Sequence, residues 1–239
     1  MGIRNDQGIV LRSYPFGEAD RIVVLLSPNN GKIRTVAKGV RKTKSRFGGR
    51  LETFSHVDLQ LYEGRNLDTI TAASLIDGHG NIRNDLDSVS AAGTMVEVVD
   101  AVAQEGESSL RMFLLLQRGL KTLDLAGAHP DLVTAFLIKA AAVIGLAPSF
   151  DECASCGSES NLKRFSFAEG GVVCESCRQP GAYALRAGVV GYLSNMAAAD
   201  LHTLPAVDRS FSGDALGITR RFIEFHLERR LRTLAVLDG

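Results

Sequence analysis

Lys32-Ile33-Arg34-Thr35-Val36-Ala37-Lys38-Gly39-Val40 alternates basic or polar residues with apolar ones. A strand points successive side chains to opposite faces, so this run buries one face and presents Lys32, Arg34 and Lys38 on the other. Two strand-like runs precede it: Gln7 to Tyr14, closed by the turn Pro15-Phe16-Gly17, and Arg21 to Ser27, closed by Pro28-Asn29-Asn30-Gly31. Two more follow. Phe54 to Tyr62 alternates again and ends in the turn Glu63-Gly64-Arg65-Asn66, and Leu67 to Ser74 closes the set. Five short strands with no helical pattern of comparable length predict a small barrel, for which the five-stranded Greek-key OB-fold is the candidate.

After Asp77-Gly78-His79-Gly80 the period changes from two to about 3.6. Leu86, Val89, Val96, Val99, Val102 and Ala103 fit one helical face, with Met95 near its edge. Ser109 to Leu125 reads as a second helix. Leu132, Phe136, Leu137, Ala140, Val143 and Ile144 form a third stripe, with Pro130 placed as a first-turn proline. Two further helices are predicted, Arg186 to Ala199 and Ala215 to Val236, the last with Phe222, Ile223, Leu227, Leu231 and Leu234 inward. The expected class is α+β multidomain: a barrel over residues 1–80, an α-helical domain from 81–150 and 179–239, and an insertion at 151–178.

That insertion holds all four cysteines of the 239-residue chain, as Cys153-x-x-Cys156 and Cys174-x-x-Cys177 with 17 residues between the pairs. Two such pairs, each on a tight turn, supply the four soft ligands of a tetrahedral metal site, and this spacing is that of zinc sites. Leu162 to Phe167 and Val172-Val173 read as short strands between the turns, which gives a zinc ribbon holding one structural Zn2+. Structural disulfides or a redox pair are the alternatives. A disulfide framework is disfavoured because the N-terminus shows no secretory pattern and the rest of the chain lacks cysteine. A four-cysteine site has no open coordination position, so it braces a fold and performs no Lewis-acid chemistry.

Net charge is zero, 27 basic against 27 acidic residues, but the charge is unevenly placed. From Lys32 to Arg50 there are eight basic residues (Lys32, Arg34, Lys38, Arg41, Lys42, Lys44, Arg46 and Arg50) and no acidic one. A neutral protein with one concentrated positive patch is a candidate for binding a polyanion. Residues 40–50 read as an exposed, flexible Gly- and Ser-containing loop that extends a cationic strand face, an arrangement that can follow a phosphate backbone. Phe47 within it could stack on a base or anchor the loop in the core.

Enzyme signatures are not found. There is no G-x-x-x-x-G-K-[ST] phosphate loop and no H-E-x-x-H, and Gly78-His79-Gly80 is a turn. His226-Leu227-Glu228 has a deaminase-like H-x-E order, but it follows the cysteines and they carry no preceding proline. Glu18 and Asp20 are better explained by turn hydrogen bonds and pairing with Arg21. No run of about 18 apolar residues suggests a membrane span, and the cytoplasm, at the nucleoid, is the expected location.

Several N-terminal stretches also carry a family likeness. Gly8-Ile9-Val10-Leu11, Phe16-Gly17-Glu18-Ala19-Asp20-Arg21-Ile22, Gly31-Lys32-Ile33, Val36-Ala37-Lys38-Gly39-Val40-Arg41-Lys42, Ser45-Arg46-Phe47 and Leu51-Glu52-Thr53-Phe54, in that order, resemble the bacterial DNA repair family RecO. The resemblance implies an OB-fold joined to a helical domain with a zinc-ribbon-like insertion. It implies a recombination mediator and not an enzyme: one that binds single- and double-stranded DNA, anneals complementary strands, acts with RecR, engages single-stranded DNA-binding protein and helps RecA load. Lys38, Arg41, Lys42 and Arg46 fall on the motif's basic positions, while Lys32, Arg34, Lys44 and Arg50 join them by charge alone. A protein-interaction adaptor whose basic loop meets an acidic partner, and a metal-dependent nuclease, are the competing readings.

Overall fold

The alternating runs form strands where their apolar residues can share one interior. In the computed structural model, which describes residues 2–235, the strands are β1 (Ile3–Phe16), β2 (Asp20–Ser27), β3 (Gly31–Ala37), β4 (His56–Tyr62) and β5 (Asp68–Asp77). They close into a barrel in the order β1-β2-β3-β5-β4, antiparallel except for the parallel pair β3–β5. β1 is long enough to serve two neighbours. Its first half pairs with β4 and its second with β2, and the register shift between Val10 and Arg12 turns the strand from one to the other. This is the OB-type barrel that the alternation implied.

Val10, Val23, Leu25, Ile33, Val57, Leu59, Leu61 and Ile70 fill the interior. In β4 the outward residues Asp58, Gln60 and Tyr62 are exposed while Val57, Leu59 and Leu61 are buried, the pattern a half-buried strand requires. One carboxylate enters the buried region. Asp6 accepts hydrogen bonds from Ser27 Oγ at 2.8 Å and Asn30 Nδ2 at 2.8 Å, with Arg4 Nη1 at 3.2 Å, so the β2–β3 turn is tied to β1. Gly31 in that turn has φ +65, and a Cβ there would sit 2.1 Å from the Glu107 carbonyl oxygen. No other residue fits that close approach.

Two helices belong to the same compact unit, which runs to Gly127: α1 (Leu86–Val102) and α2 (Leu110–Ala126). Asp85 caps α1 by accepting from Ser88 N at 2.9 Å, and Ser109 caps α2 by accepting from Met112 N. The buried face of α1 differs from the predicted stripe. Met95 lies at its centre beside Ala91, Ala92, Val98 and Val99, while Leu86 is 82% exposed. The small alanines allow close helix packing, and Leu86 is the first residue after the cap, ahead of the packed turns.

The second unit begins at Ala128 and contains α3 (Leu132–Val143), β6 (Leu162–Ser166), β7 (Gly171–Cys174), β8 (Tyr183–Ala184), α4 (Val189–Ala198), α5 (Arg209–His226) and the short α6 (Arg232–Ala235). Pro130 precedes the cap of α3 rather than occupying its first turn. The predicted final helix starts six residues early, capped by Asp208, and stops at His226, because Glu228 adopts φ 50. The expectations for the Leu234 side chain and for Val236 fall outside the described residues. Buried Asp131 joins elements of this unit, accepting from Ser212 Oγ at 2.6 Å and from the Tyr192 hydroxyl. Among the described residues no helix is long and apolar enough to cross a membrane.

Buried His56 is held in its neutral form. Its Nε2 lies 2.9 Å from Gln7 Oε1, Gln117 Nε2 approaches Nδ1 at 3.4 Å, and its ring meets Phe113 edge-on. Burial, with a contribution from His79, moves its pKa below the usual histidine value. The unfolded chain takes up a proton near pH 6.5 and the folded chain only at lower pH, so this contribution is complete above that pH and is lost as pH falls below it. Thermal melts between pH 5 and 7.5 should show falling stability on acidification, and His56→Gln should flatten that slope. A variant with the wild-type slope would contradict the assignment.

Candidate nucleic-acid interface and metal centre

The basic segment is not the flexible loop that its composition suggested. Between β3 and β4 it folds into successive turns that plug one end of the barrel. Phe47 is 1% exposed, and with Leu51 it joins the barrel core. The alternative of an exposed Phe47 stacking on a base is therefore excluded: the ring is the anchor. Further ties hold both ends. Gly39 N donates to Asp20 Oδ1 at 2.7 Å, Arg41 N to Ala19 O at 3.0 Å, and Phe54 N to Val10 O at 2.9 Å. Asp20 thus serves a turn, as expected, though Arg21 reaches the Ser13 carbonyl instead of pairing with it.

The eight cations fall into two groups. Lys32 turns toward α1, its Nζ 2.7 Å from the Asp100 carbonyl and 3.6 Å from Asp100 Oδ1. Arg34 is shared between Tyr14 Oη at 3.0 Å and Glu105 Oε1 at 3.9 Å. Both charges are thereby partly compensated. Lys38, Arg41, Lys42, Lys44, Arg46 and Arg50 are all exposed, and among the described residues none of the six has a carboxylate within ion-pair distance. Three of them are nevertheless oriented. Arg46 donates to Ile70 O at 3.2 Å and lies 4.8 Å over the Phe47 ring; Arg50 donates to Arg46 O and Phe47 O at 2.9 and 3.3 Å; Arg41 reaches Gly17 O at 3.5 Å. Neutral carbonyls position these guanidinium groups without cancelling their charge.

A ninth cation escaped the sequence reading. Arg83 follows the barrel in a short 3-10 turn, outside the basic run. Its Nη1 donates to Gly78 O at 2.6 Å and its Nη2 to Thr53 O at 2.7 Å, again neutral acceptors. It borders a cavity of about 440 Å3 that the basic segment also lines. Nothing in the local sequence Asn81-Ile82-Arg83-Asn84 marks this, because the placement depends on a chain reversal at Gly78–His79.

In the second unit β6 and β7 form the predicted hairpin, with Gly171 opposite Ser166, and β8 adds a short third strand. Gly171 is required here, since a Cβ would lie 2.5 Å from Ser149 O. The hairpin and its flanking turns gather Cys153, Cys156, Cys174 and Cys177, whose sulfurs all lie within 4.8 Å of one another. Cys156 Sγ and Cys174 Sγ are 3.8 Å apart. A tetrahedron with metal–sulfur bonds of about 2.3 Å has edges of about 3.8 Å. None of the four is in a disulfide.

The electrostatics suit a cation. Burial raises the Cys153 thiol, but the amides of Cys174, Cys156 and Ser155 outweigh it and bring the pKa down to about 6. The thiols of Cys156 and Cys174 push Cys177 up to about 12. One thiolate is readily formed and further ones are opposed by like charge, an opposition that a bound divalent cation removes. Among the described residues no other group of His, Cys, Asp and Glu side chains converges in this way.

Comparison with known proteins agrees with both halves of the chain. Residues 1–79 match the family described as Recombination protein O N terminal, and residues 83–235 that described as Recombination protein O C terminal. The DNA repair protein RecO of Frankia casuarinae is 42% identical over 241 residues, spanning 100% of this chain and 99% of that protein. The protein of the same name from Nocardioides sp. is 42% identical over 98% of each chain, and that of Thermobifida fusca is 38% identical over 100% of this chain and 99% of its own. With the barrel, the helices and the cysteine cluster all inside the matched regions, the chain belongs to the RecO family of DNA repair proteins.

Proposed function

We propose that this chain binds single- and double-stranded DNA through the barrel's cationic end, anneals complementary strands, and acts with RecR to help load RecA onto strands coated by single-stranded DNA-binding protein. The observation that carries the first step is the set of exposed cations at 38–50, oriented by carbonyls and without carboxylate partners. Such charges are available to phosphates, and their binding releases condensed counterions without reading base sequence. Lys38, Arg41, Lys42, Lys44, Arg46 and Arg50 are the principal contacts, and Lys32 and Arg34 extend the surface with weaker charge. Neutralising both strands on one surface lowers the repulsion that opposes annealing. No step needs nucleotide hydrolysis, so the protein works as a mediator and not as an enzyme, at the nucleoid.

The roles divide along the chain: residues 1–80 bind DNA, the helices at 81–150 and 179–239 offer surfaces for protein partners, and the insertion at 151–178 is a braced module. Cys153, Cys156, Cys174 and Cys177 would hold one Zn2+, which supplies a cross-link between the two knuckles of the ribbon. With four protein ligands it leaves no position for substrate.

Replacing Arg41, Lys42, Lys44 and Arg46 together by Ala should weaken single-stranded DNA binding more than about tenfold at 0.1 M salt with the protein still folded, since none of the four side chains is buried and only the surface bonds of Arg41 and Arg46 to carbonyls are lost. A folded variant that binds as the wild type would remove the basic segment from the interface. For the ribbon, metal analysis should find one zinc per chain, and Cys174→Ser should lose it together with thermal stability. A metal-free wild type containing disulfides would overturn the site.

A further inference from the structure

The cavity beside the basic segment has features that phosphate binding alone does not use. Its walls are Gly48-Gly49 and Arg50 on one side and Leu75, Gly78 and Arg83 on the other. At about 440 Å3 it falls within the range of small-ligand pockets. No carboxylate lines it. Arg50 and Arg83 are both fixed by backbone carbonyls, with Nη1 of Arg50 on Arg46 O and Nη2 of Arg83 on Thr53 O. Leu75 is 50% exposed although it is a large apolar residue on a strand. Gly48 and Gly49 leave open space where side chains would stand, since a Cβ at either meets nothing within 4 Å.

The backbone around the cavity is strained. Phe54 has φ 77 and His79 φ 45, and His79 Nδ1 donates to Phe54 O at 2.9 Å, locking the two reversals together. Non-glycine residues in the left-handed region are unfavourable and persist where neighbouring structure determines them. Arg83 bridges the same two segments, donating to Thr53 O on one and to Gly78 O on the other.

We infer that this pocket takes one nucleotide of a single strand, its base lying against Leu75 over the Gly48-Gly49 backbone and its phosphate between Arg50 and Arg83. Both ligand parts are called for. Two oriented, uncompensated guanidinium groups suit a phosphate, and an exposed apolar wall facing an open glycine pair suits a flat ring. The pocket continues the cationic segment at 38–50, so a strand following those charges passes its mouth. The inference rests on the DNA-binding role proposed above and adds Arg83 and Leu75 to it. It gives the barrel a preference for unpaired bases, because a base inside a duplex cannot enter.

Gly49→Leu provides the test. Gly49 lines the pocket, has an ordinary φ and has room for a Cβ, so a leucine there places a bulky side chain at the pocket's wall without straining the fold. Full-length protein is titrated with an oligothymidylate and with an abasic oligomer of equal length carrying the same phosphates, followed by fluorescence anisotropy. Wild type should bind the thymidylate about tenfold tighter, as expected for stacking of one base. Gly49→Leu should bind both oligomers at the abasic level, and Leu75→Ser should lose most of the preference. Equal wild-type affinities for the two oligomers, or a preference surviving in Gly49→Leu, would overturn the pocket while leaving phosphate binding by the basic segment intact. Binding of neither oligomer would overturn the DNA-binding role itself. An acidic peptide that displaces no DNA yet loses its binding in Gly49→Leu would assign the pocket to a protein ligand and contradict the inference.

Discussion

The burial of Phe47 in the end of the barrel is the contact on which the proposed DNA-binding surface depends. A segment with five cations between Val40 and Arg50 has little reason to fold alone, since like charges repel and Gly48 and Gly49 add backbone freedom. One aromatic ring in the core, with Leu51 behind it, fixes the segment from within. Replacing such a ring by alanine removes about 3–5 kcal/mol, a large share of the stability of a small domain. Once the ring is placed, short bonds from Arg46 and Arg50 to nearby carbonyls hold the guanidinium groups facing outward. The charges are preorganised at little desolvation cost, because they never leave water.

The cysteine cluster solves a similar problem by other means. The small cluster inside the ribbon buries only Cys153, Val173 and Cys174. So small a module lacks the core to hold two knuckle turns together, and the four converging thiols would give it a cross-link through a bound metal. Phe165 secures it further by packing against Phe222 of α5 within the same unit. The two anchoring devices are chemically unrelated: a buried ring supports the cationic surface proposed to meet DNA, and a cysteine cluster gathers the turns of the ribbon. The most conspicuous motif in the sequence is therefore a brace, and the less conspicuous acid-free run from Lys32 to Arg50 carries the functional reading.

Strand alternation made the barrel legible: Val57–Tyr62 has the same inside-outside pattern in the structure as in the sequence, and Lys32–Arg34 begins the same way, although Thr35, Val36 and Ala37 are then buried in succession. The cysteine cluster was equally legible, because metal-ligand spacing is local. The α1 face was misread: counting large aliphatics put Leu86 inward, whereas Ala91 and Ala92 pack there because they are small. The partial compensation of Lys32 by Asp100 could not be read, as it joins residues 68 apart. For the same reason Arg83 gave no signal. Its orientation follows from hydrogen bonds to nearby Gly78 and to Thr53, the latter 30 residues away and brought within reach only by the closed barrel. Local pattern predicts what is exposed and charged; tertiary contacts decide which charges remain uncompensated.

Hydrogen exchange of the full-length protein with and without a single-stranded oligonucleotide tests most directly where DNA is held. The amides of residues 38–55 at the barrel's end should slow on binding, while those of the ribbon at 151–178 should exchange as they do in the free protein. Protection confined to the ribbon or to the helices after Ala128, with residues 38–55 unchanged, would contradict the assignment of the barrel as the DNA-binding surface.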